Sequence, residues 1–202
     1  MGSVIALSGT PGTGKTVIGQ LLASDLNAEL IELNQIIIQH QFHKGEDPKR
    51  RTLIADVQKL QNYLSKQLDS SKKRYIVVGH FADEVPDNLL EVLVVLRCNP
   101  LTLTQRLKTR GWSTDKILEN IQAEILGECT AQALARHSQH QIFEIDTTTL
   151  KPSEVVEVIH KILAGTGRQY SVGEISWLRS LDPNLVHQIM EEKTLPSKPQ
   201  KA

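Results

Sequence analysis

Ser3-Val4-Ile5-Ala6-Leu7-Ser8-Gly9-Thr10-Pro11-Gly12-Thr13-Gly14-Lys15-Thr16-Val17-Ile18 is the stretch whose reading decides the fold. Its first six residues are a short apolar run. Residues 9–16 then fit G-x-x-x-x-G-K-S/T at every fixed position. A segment of helical period, Lys15 to Leu26, follows, with Val17, Ile18, Leu21, Leu22 and Ala23 on one side. Strand, glycine turn and helix in that order are the context a phosphate-binding loop requires. The glycines let backbone N–H groups turn inward around a phosphate, and the helix points its positive end at the same anion. Lys15 can reach the β- and γ-phosphates of a bound nucleotide, and the Thr16 hydroxyl is placed to ligate Mg²⁺.

Working outward, Leu30 to Leu33 reads as a second strand and Asn34 to His43 as a short helix. Lys44 to Arg51 carries six charges in eight residues with Gly45 and Pro48, which predicts an exposed loop. Leu53, Val57, Leu60 and Leu64 form one stripe, which predicts a helix over 53–68. Tyr75 to Val78 and Val92 to Leu96 are continuous apolar runs rich in β-branched residues, as expected of parallel strands covered on both faces. Asn99-Pro100 opens a helix to Thr109, and a longer helix is predicted from Thr114 to about His137. Gln141 to Ile145 is a fifth strand, and Pro152 opens a helix ending at Gly165. Alternation of strand and helix from 3 to 164 implies an α/β domain with a parallel five-stranded sheet flanked by helices.

Gly165-Thr166-Gly167 marks a boundary, so the expected division is a main domain at 1–165 and a helical extension with a tail at 166–202. Ser171 and Glu174 have capping-box spacing, Asp182-Pro183 can open a further helix, and the last ten residues read as a frayed tail.

The chain has 202 residues, with 23 Lys+Arg balancing 23 Asp+Glu. A net charge of zero argues against a general nucleic-acid coat or a basic membrane-surface protein. The longest apolar run, Leu89 to Leu96, is interrupted by Glu91 and falls short of a membrane span. The N-terminus has no charged n-region. Cys98 and Cys129 have no metal-ligand spacing and read as buried thiols, so a cytoplasmic protein is expected.

The D-x-x-G and N-K-x-D motifs of regulatory GTPases are missing, which disfavours a GTPase switch. Arg97 ends a strand, and Arg106 and Arg110 lie at i, i+4, where guanidinium groups could neutralise a transferring phosphoryl group. The same spacing fits a solvated basic helix face equally well. His80 sits just past the carboxyl end of a strand, where open α/β sheets bind ligands; a histidine bonded to nearby backbone is the plainer reading. His40/His43 and His137/His140 each sit at i, i+3, but no acidic or cysteine partner has ligand spacing around them.

Val94-Val95-Leu96-Arg97-Cys98-Asn99-Pro100, Arg106-Leu107, Arg110-Gly111-Trp112 and Lys116 to Ile125 resemble the adenylate kinase isoenzyme six family, including its archaeal members. The resemblance extends to the phosphate loop and Gly79-His80-Phe81, and its R-G-Y/W-x-x-x-K-I/L-x-E/D-N block is more specific than the loop. It implies a P-loop nucleoside monophosphate kinase transferring the γ-phosphoryl group of ATP to AMP with Mg²⁺. Gly12, Thr13, Gly14, Lys15, Thr16 and Val17 would contact ATP, and Arg110 would open a lid over about 109–119. Catalysis would rest on Lys15, Arg106 and Arg110, with His80 orienting water or a phosphate. The monophosphate-binding segment would span about 32–53, with Asp56 just after it.

Two positions depart from the pattern. Val78 stands where many members have a Walker B aspartate, with Asp83 and Asp146 as candidate substitutes, and Asn34-Gln35-Ile36 replaces a Gly-Asp-Leu. The resemblance also implies a rival role: an ATPase assembling the small ribosomal subunit, bound to a platform ribosomal protein and pre-rRNA. An acidic face of Glu119, Glu124 and Glu128 would meet that basic partner, although a solvated helix face is the simpler reading.

Overall fold

The strand that leads into the glycine loop, β1 (Ser3–Gly9), lies in the middle of the main sheet. The computed structural model describes residues 3–48, 52–69, 73–191 and 193–196. After β1 come α1 (Lys15–Asp25), β2 (Glu29–Glu32), α2 (Leu33–Gln39), β3 (His43–Asp47), β4 (Thr52–Ala55) and α3 (Val57–Asp69). The chain continues through β5 (Arg74–Val78), β6 (Leu90–Arg97), α4 (Pro100–Thr109), α5 (Thr114–Leu126) and α6 (Glu128–Arg136). It ends with β7 (Ile142–Asp146), α7 (Pro152–Leu163), α8 (Trp177–Ser180) and α9 (Pro183–Met190).

Five parallel strands pair in the order β2-β5-β1-β6-β7, which is the α/β architecture expected. The chain leaves β1 toward one edge and later returns to its other side through β6. That reversal opens a crevice at the carboxyl ends of β1, β5 and β6, the usual ligand position in such sheets. Gly9, Gly79-His80 and Arg97 all stand at that end.

Strand alternation divides the core. Val4 and Ala6, with Tyr75, Val77, Leu93 and Val95, face Leu60, Leu64 and Leu68 of α3 and Ala133 of α6. Ile5 and Leu7, with Ile76, Val78, Val94 and Leu96, face Ile18 and Leu22 of α1 and Val155, Ile159 and Ile162 of α7. Because both faces are covered, β1 is apolar from Val4 to Leu7, β5 from Tyr75 to Val78 and β6 from Val92 to Leu96, as parallel strands should be. A third cluster joins Leu103 and Leu107 of α4, Ile117, Ile121 and Ile125 of α5, Trp177 and Ile189. The residues after the glycine boundary therefore pack onto α4 and α5.

Several local expectations change. Residues 44–47 belong to a strand, because β3 and β4 form an antiparallel hairpin with Glu46 opposite Leu53. A hairpin standing off the main sheet needs no apolar face, so its charges did not prevent pairing. Residues 49–51 of the expected loop lie outside the described residues. The helix expected from residue 53 begins at Val57, with the Lys59 N–H donating to Asp56 Oδ1 at 3.3 Å as a cap. The long helix expected over 114–137 is broken at Gly127, whose φ of 69° ends α5. Ser171 and Glu174 cap no helix; α8 starts at Trp177. At the start of the expected tail, Leu195 packs on the third cluster and Pro196 is buried, while 197–202 lie outside the described residues.

Candidate nucleotide-binding site

Three glycines shape the loop between β1 and α1: Gly9, Gly12 and Gly14 have φ of 135°, 97° and 101°. A Cβ at Gly9 would stand 2.3 Å from the Leu96 carbonyl oxygen, and one at Gly12 would stand 2.7 Å from Leu103 Cδ1. Glycine is therefore demanded there by both conformation and space. The N–H and hydroxyl of Thr13 donate to the Thr10 carbonyl at 3.3 and 2.9 Å, which closes the turn. No side chain caps α1, so its first N–H groups are left for an anion.

Lys15 curls back over this turn, and its Nζ donates to the Gly9 and Thr10 carbonyls at 2.6 and 3.0 Å. Among the described residues no carboxylate forms an ion pair with it. Burial lowers its pKa to about 8 against the pull of Cys129 and Glu124, and the charge of Arg110 adds to the lowering. A sequestered ammonium held only by carbonyls is a site made for an anion. Thr16 and Val17, by contrast, are exposed on the first turn of α1.

His80 is half-buried beside this group. Desolvation and then the Lys15 charge lower its pKa, and its Nδ1 lies 3.7 Å from the Cys129 sulfur. Arg106 donates from its terminal nitrogens to the carbonyls of Gly12 (3.3 Å), Thr147 (2.7 Å) and Thr148 (3.2 Å). It thereby ties the glycine loop to the segment after β7. Arg110, at the carboxyl end of α4, is exposed yet close enough to act on Lys15 electrostatically. Lys15, His80, Arg106 and Arg110 are thus gathered around one loop.

The family model described as AAA domain matches residues 5–127. A protein of Archaeoglobus fulgidus named "Putative adenylate kinase" is 36% identical over 191 residues, covering 90% of this chain and 96% of that protein. One of the same name from Methanocaldococcus jannaschii is 32% identical over 174 residues, covering 86% and 92%. The chain belongs to this P-loop nucleoside monophosphate kinase family. Shikimate kinase from Acinetobacter baumannii, solved with shikimate, shares the fold at a TM-score of 0.57 and 17% identity, covering 81% of this chain and 93% of that one. Shikimate kinase from Bacteroides thetaiotaomicron does so at 0.55 and 23%, covering 80% and 98%.

In this P-loop kinase the Walker B position is apolar in fact as well as in sequence. Val78 is buried in the sheet, and its Cγ2 lies where a Cβ on Gly19 of α1 would fall at 2.4 Å. Both candidate substitutes already have partners. Asp83 is buried and paired with Arg136 at 2.9 Å, and Asp146 accepts the Thr148 N–H at 2.9 Å. No group of three or more His, Cys, Asp or Glu that could hold a metal occurs among the described residues. His137 is bonded to Asp87 and to the Asp83 carbonyl, and His40 stacks on Phe42.

Arg97 is corrected outright. Instead of facing a phosphate it is 3% exposed and forked between Glu124 and Glu144, with Nε to Glu124 Oε1 at 2.8 Å. Burial alone would lower its pKa, but the two carboxylates outweigh that and raise it. Glu124 is equally displaced from its expected role: it is 2% exposed, which leaves Glu119 and Glu128 on separate helices and no continuous acidic face. Sequence reasoning therefore missed a buried charged cluster. Its one local signal is that Glu124 follows Ile117 and Ile121 on the apolar side of α5.

No helix among the described residues is long and apolar enough to cross a membrane.

Proposed function

We propose that this P-loop kinase transfers the γ-phosphoryl group of ATP to AMP, releasing two ADP. The observation that carries the reading is the half-buried Lys15 ammonium, held by two carbonyls inside the glycine turn with His80 and Arg110 beside it. The relatives' shared name supports AMP as acceptor, and the Arg110-Gly111-Trp112 block supports the finer isoenzyme-six reading. Backbone N–H groups of Gly12, Thr13, Gly14 and Lys15 through Val17 would surround the triphosphate, and Lys15 would turn from its carbonyls to the β/γ oxygens. Arg106 acts as a positioning residue, because its terminal nitrogens are spent on the loop backbone.

A magnesium ion would neutralise phosphate charge when bound. The donors present fit a loosely held ion: the exposed Thr16 hydroxyl stands at the loop, and Mg²⁺ ordinarily keeps several waters and shares substrate oxygens. The monophosphate segment, α2 with the β3–β4 hairpin, and the lid over 109–119 would close to exclude water, the competing acceptor. His80 would orient the acceptor or a water.

The test is ATP consumption with and without AMP, scoring ADP against free phosphate. AMP-dependent formation of two ADP is expected; phosphate release unaffected by AMP would favour the assembly-ATPase role instead. In the same assay Arg110→Ala should lower kcat by about 10²-fold while changing ATP affinity little, since its charge is needed most in the transition state. An effect confined to affinity would count against that role.

Protons report on Lys15 directly. Its pKa of about 8 leaves the free ammonium half-protonated near that pH, and triphosphate oxygens restore the charged form. Binding at that pH should therefore take up roughly half a proton per site beyond the nucleotide's own titration. Calorimetry in two buffers of different ionisation enthalpy measures it, and net proton release would contradict the assignment.

A further inference from the structure

The carboxylate of Glu124 joins the phosphate loop to the segment after the glycine boundary. Its Oε2 accepts the Thr10 hydroxyl at 2.5 Å. Its Oε1 accepts from Arg97 Nε at 2.8 Å, the Cys98 N–H at 3.1 Å and the indole Nε1–H of Trp177 at 2.9 Å. Thr10 in turn holds Lys15, because its carbonyl accepts the Lys15 ammonium at 3.0 Å. Thr10 is 3% and Trp177 7% exposed, so water does not replace these bonds. A buried carboxylate with four donors on it has one orientation.

We infer that Glu124 is a positioning residue for nucleotide binding, and that Trp177 locks it, so that α8 in the C-terminal segment is a working part of the phosphate site. The inference rests on the ATP-binding reading above and goes beyond it. The lever is geometric. Trp177 packs in the α4–α5 cluster and fixes the carboxylate through its N–H. The carboxylate fixes the Thr10 hydroxyl, and the Thr10 peptide fixes where the Lys15 ammonium stands. Hydrogen bonds to a charged partner are the stronger kind and are costly to leave unmade. A loop freed from Glu124 must be ordered by the nucleotide at the moment of binding, which weakens affinity.

The experiment uses the full chain and measures ATP affinity by titration, with the thermal midpoint recorded for every variant. Trp177→Phe keeps a ring in the cluster and deletes the N–H. Thr10→Val keeps the shape and deletes the hydroxyl, while Thr10→Ser restores it. Thr10→Val and Trp177→Phe should each weaken ATP binding, the former by about tenfold. Thr10→Ser should bind within about twofold of wild type, although it alters the same loop residue as Thr10→Val. The double variant Thr10→Val/Trp177→Phe should bind no more weakly than Thr10→Val alone, because both changes break one chain. Additive losses, or Trp177→Phe binding ATP as wild type does, would overturn the inference. Midpoints that fall without any change in affinity would make the contact purely structural, which also overturns it. A wild-type chain that binds no ATP would instead remove the functional reading itself, and this inference with it.

Discussion

Lys15→Ala should cut AMP-dependent ATP turnover by about 10²- to 10³-fold, the loss seen when one preorganised donor to a developing charge is removed. Nothing nearby can substitute. Arg106 is engaged with the Gly12, Thr147 and Thr148 carbonyls, and Arg110 lies exposed at the end of α4. The variant should also stay folded. A lysine whose pKa falls to about 8 in the folded chain is held there at a cost below that pH, because the unfolded chain keeps its proton to higher pH. Removing the ammonium removes that cost, so the thermal midpoint at neutral pH should not drop. Turnover and melting measured on one preparation decide the matter. Wild-type turnover would sink the site assignment, and a large fall in midpoint would show that Lys15 props the loop rather than serving a ligand.

The phosphate loop was readable because its requirements are local. Positive φ at Gly9, Gly12 and Gly14, an apolar strand before them and a helix after them that buries Ile18, Leu22 and Ala23 leave a contiguous trace, although Val17 and Leu21, expected on the same side, are exposed. The parallel sheet was readable for a similar reason. Strands covered on both faces must be apolar throughout, and Val92 to Leu96 satisfies that in five consecutive letters.

What failed did so where distance in sequence matters. Arg97 and Glu124 lie 27 positions apart, and only the fold brings the guanidinium against the carboxylate. Read along one helix, Glu119, Glu124 and Glu128 form an acidic run; in three dimensions Glu124 turns inward and Gly127 ends the helix before Glu128. The helix expected over 114–137 runs straight through Gly127. A Cβ there would stand 3.6 Å from the Arg97 guanidinium, so the break lies directly over the buried charge. The β3–β4 hairpin escaped for the opposite reason. It stands off the sheet, Leu53 and Ile54 remain partly exposed, and no burial pattern betrays it.

Arg97→Ala should be the most destabilising single change. The guanidinium meets Glu124 through Nε at 2.8 Å, the Glu124 carbonyl at 2.9 Å, the Thr130 hydroxyl at 3.3 Å and the Glu144 carboxylate. Glu144 also accepts the Thr130 hydroxyl at 2.7 Å and the Gly173 N–H at 2.8 Å. Deleting the cation leaves two carboxylates facing each other out of water with no counter-charge. Breaking one partner of a buried pair costs about 3–5 kcal/mol, and here both acids are stranded. For a chain of this length that corresponds to a fall in thermal midpoint of roughly 6–20 °C. Arg97→Lys keeps the charge but cannot fork between two acids, so its midpoint should lie between wild type and alanine. The combination Arg97→Met, Glu124→Gln and Glu144→Gln removes all three charges and should recover part of the loss, because neutral amides need no counter-ion. An alanine variant melting within about 2 °C of wild type would show that the cluster contributes little to stability. A triple variant no more stable than alanine would show that shape, rather than charge balance, is what the cluster supplies.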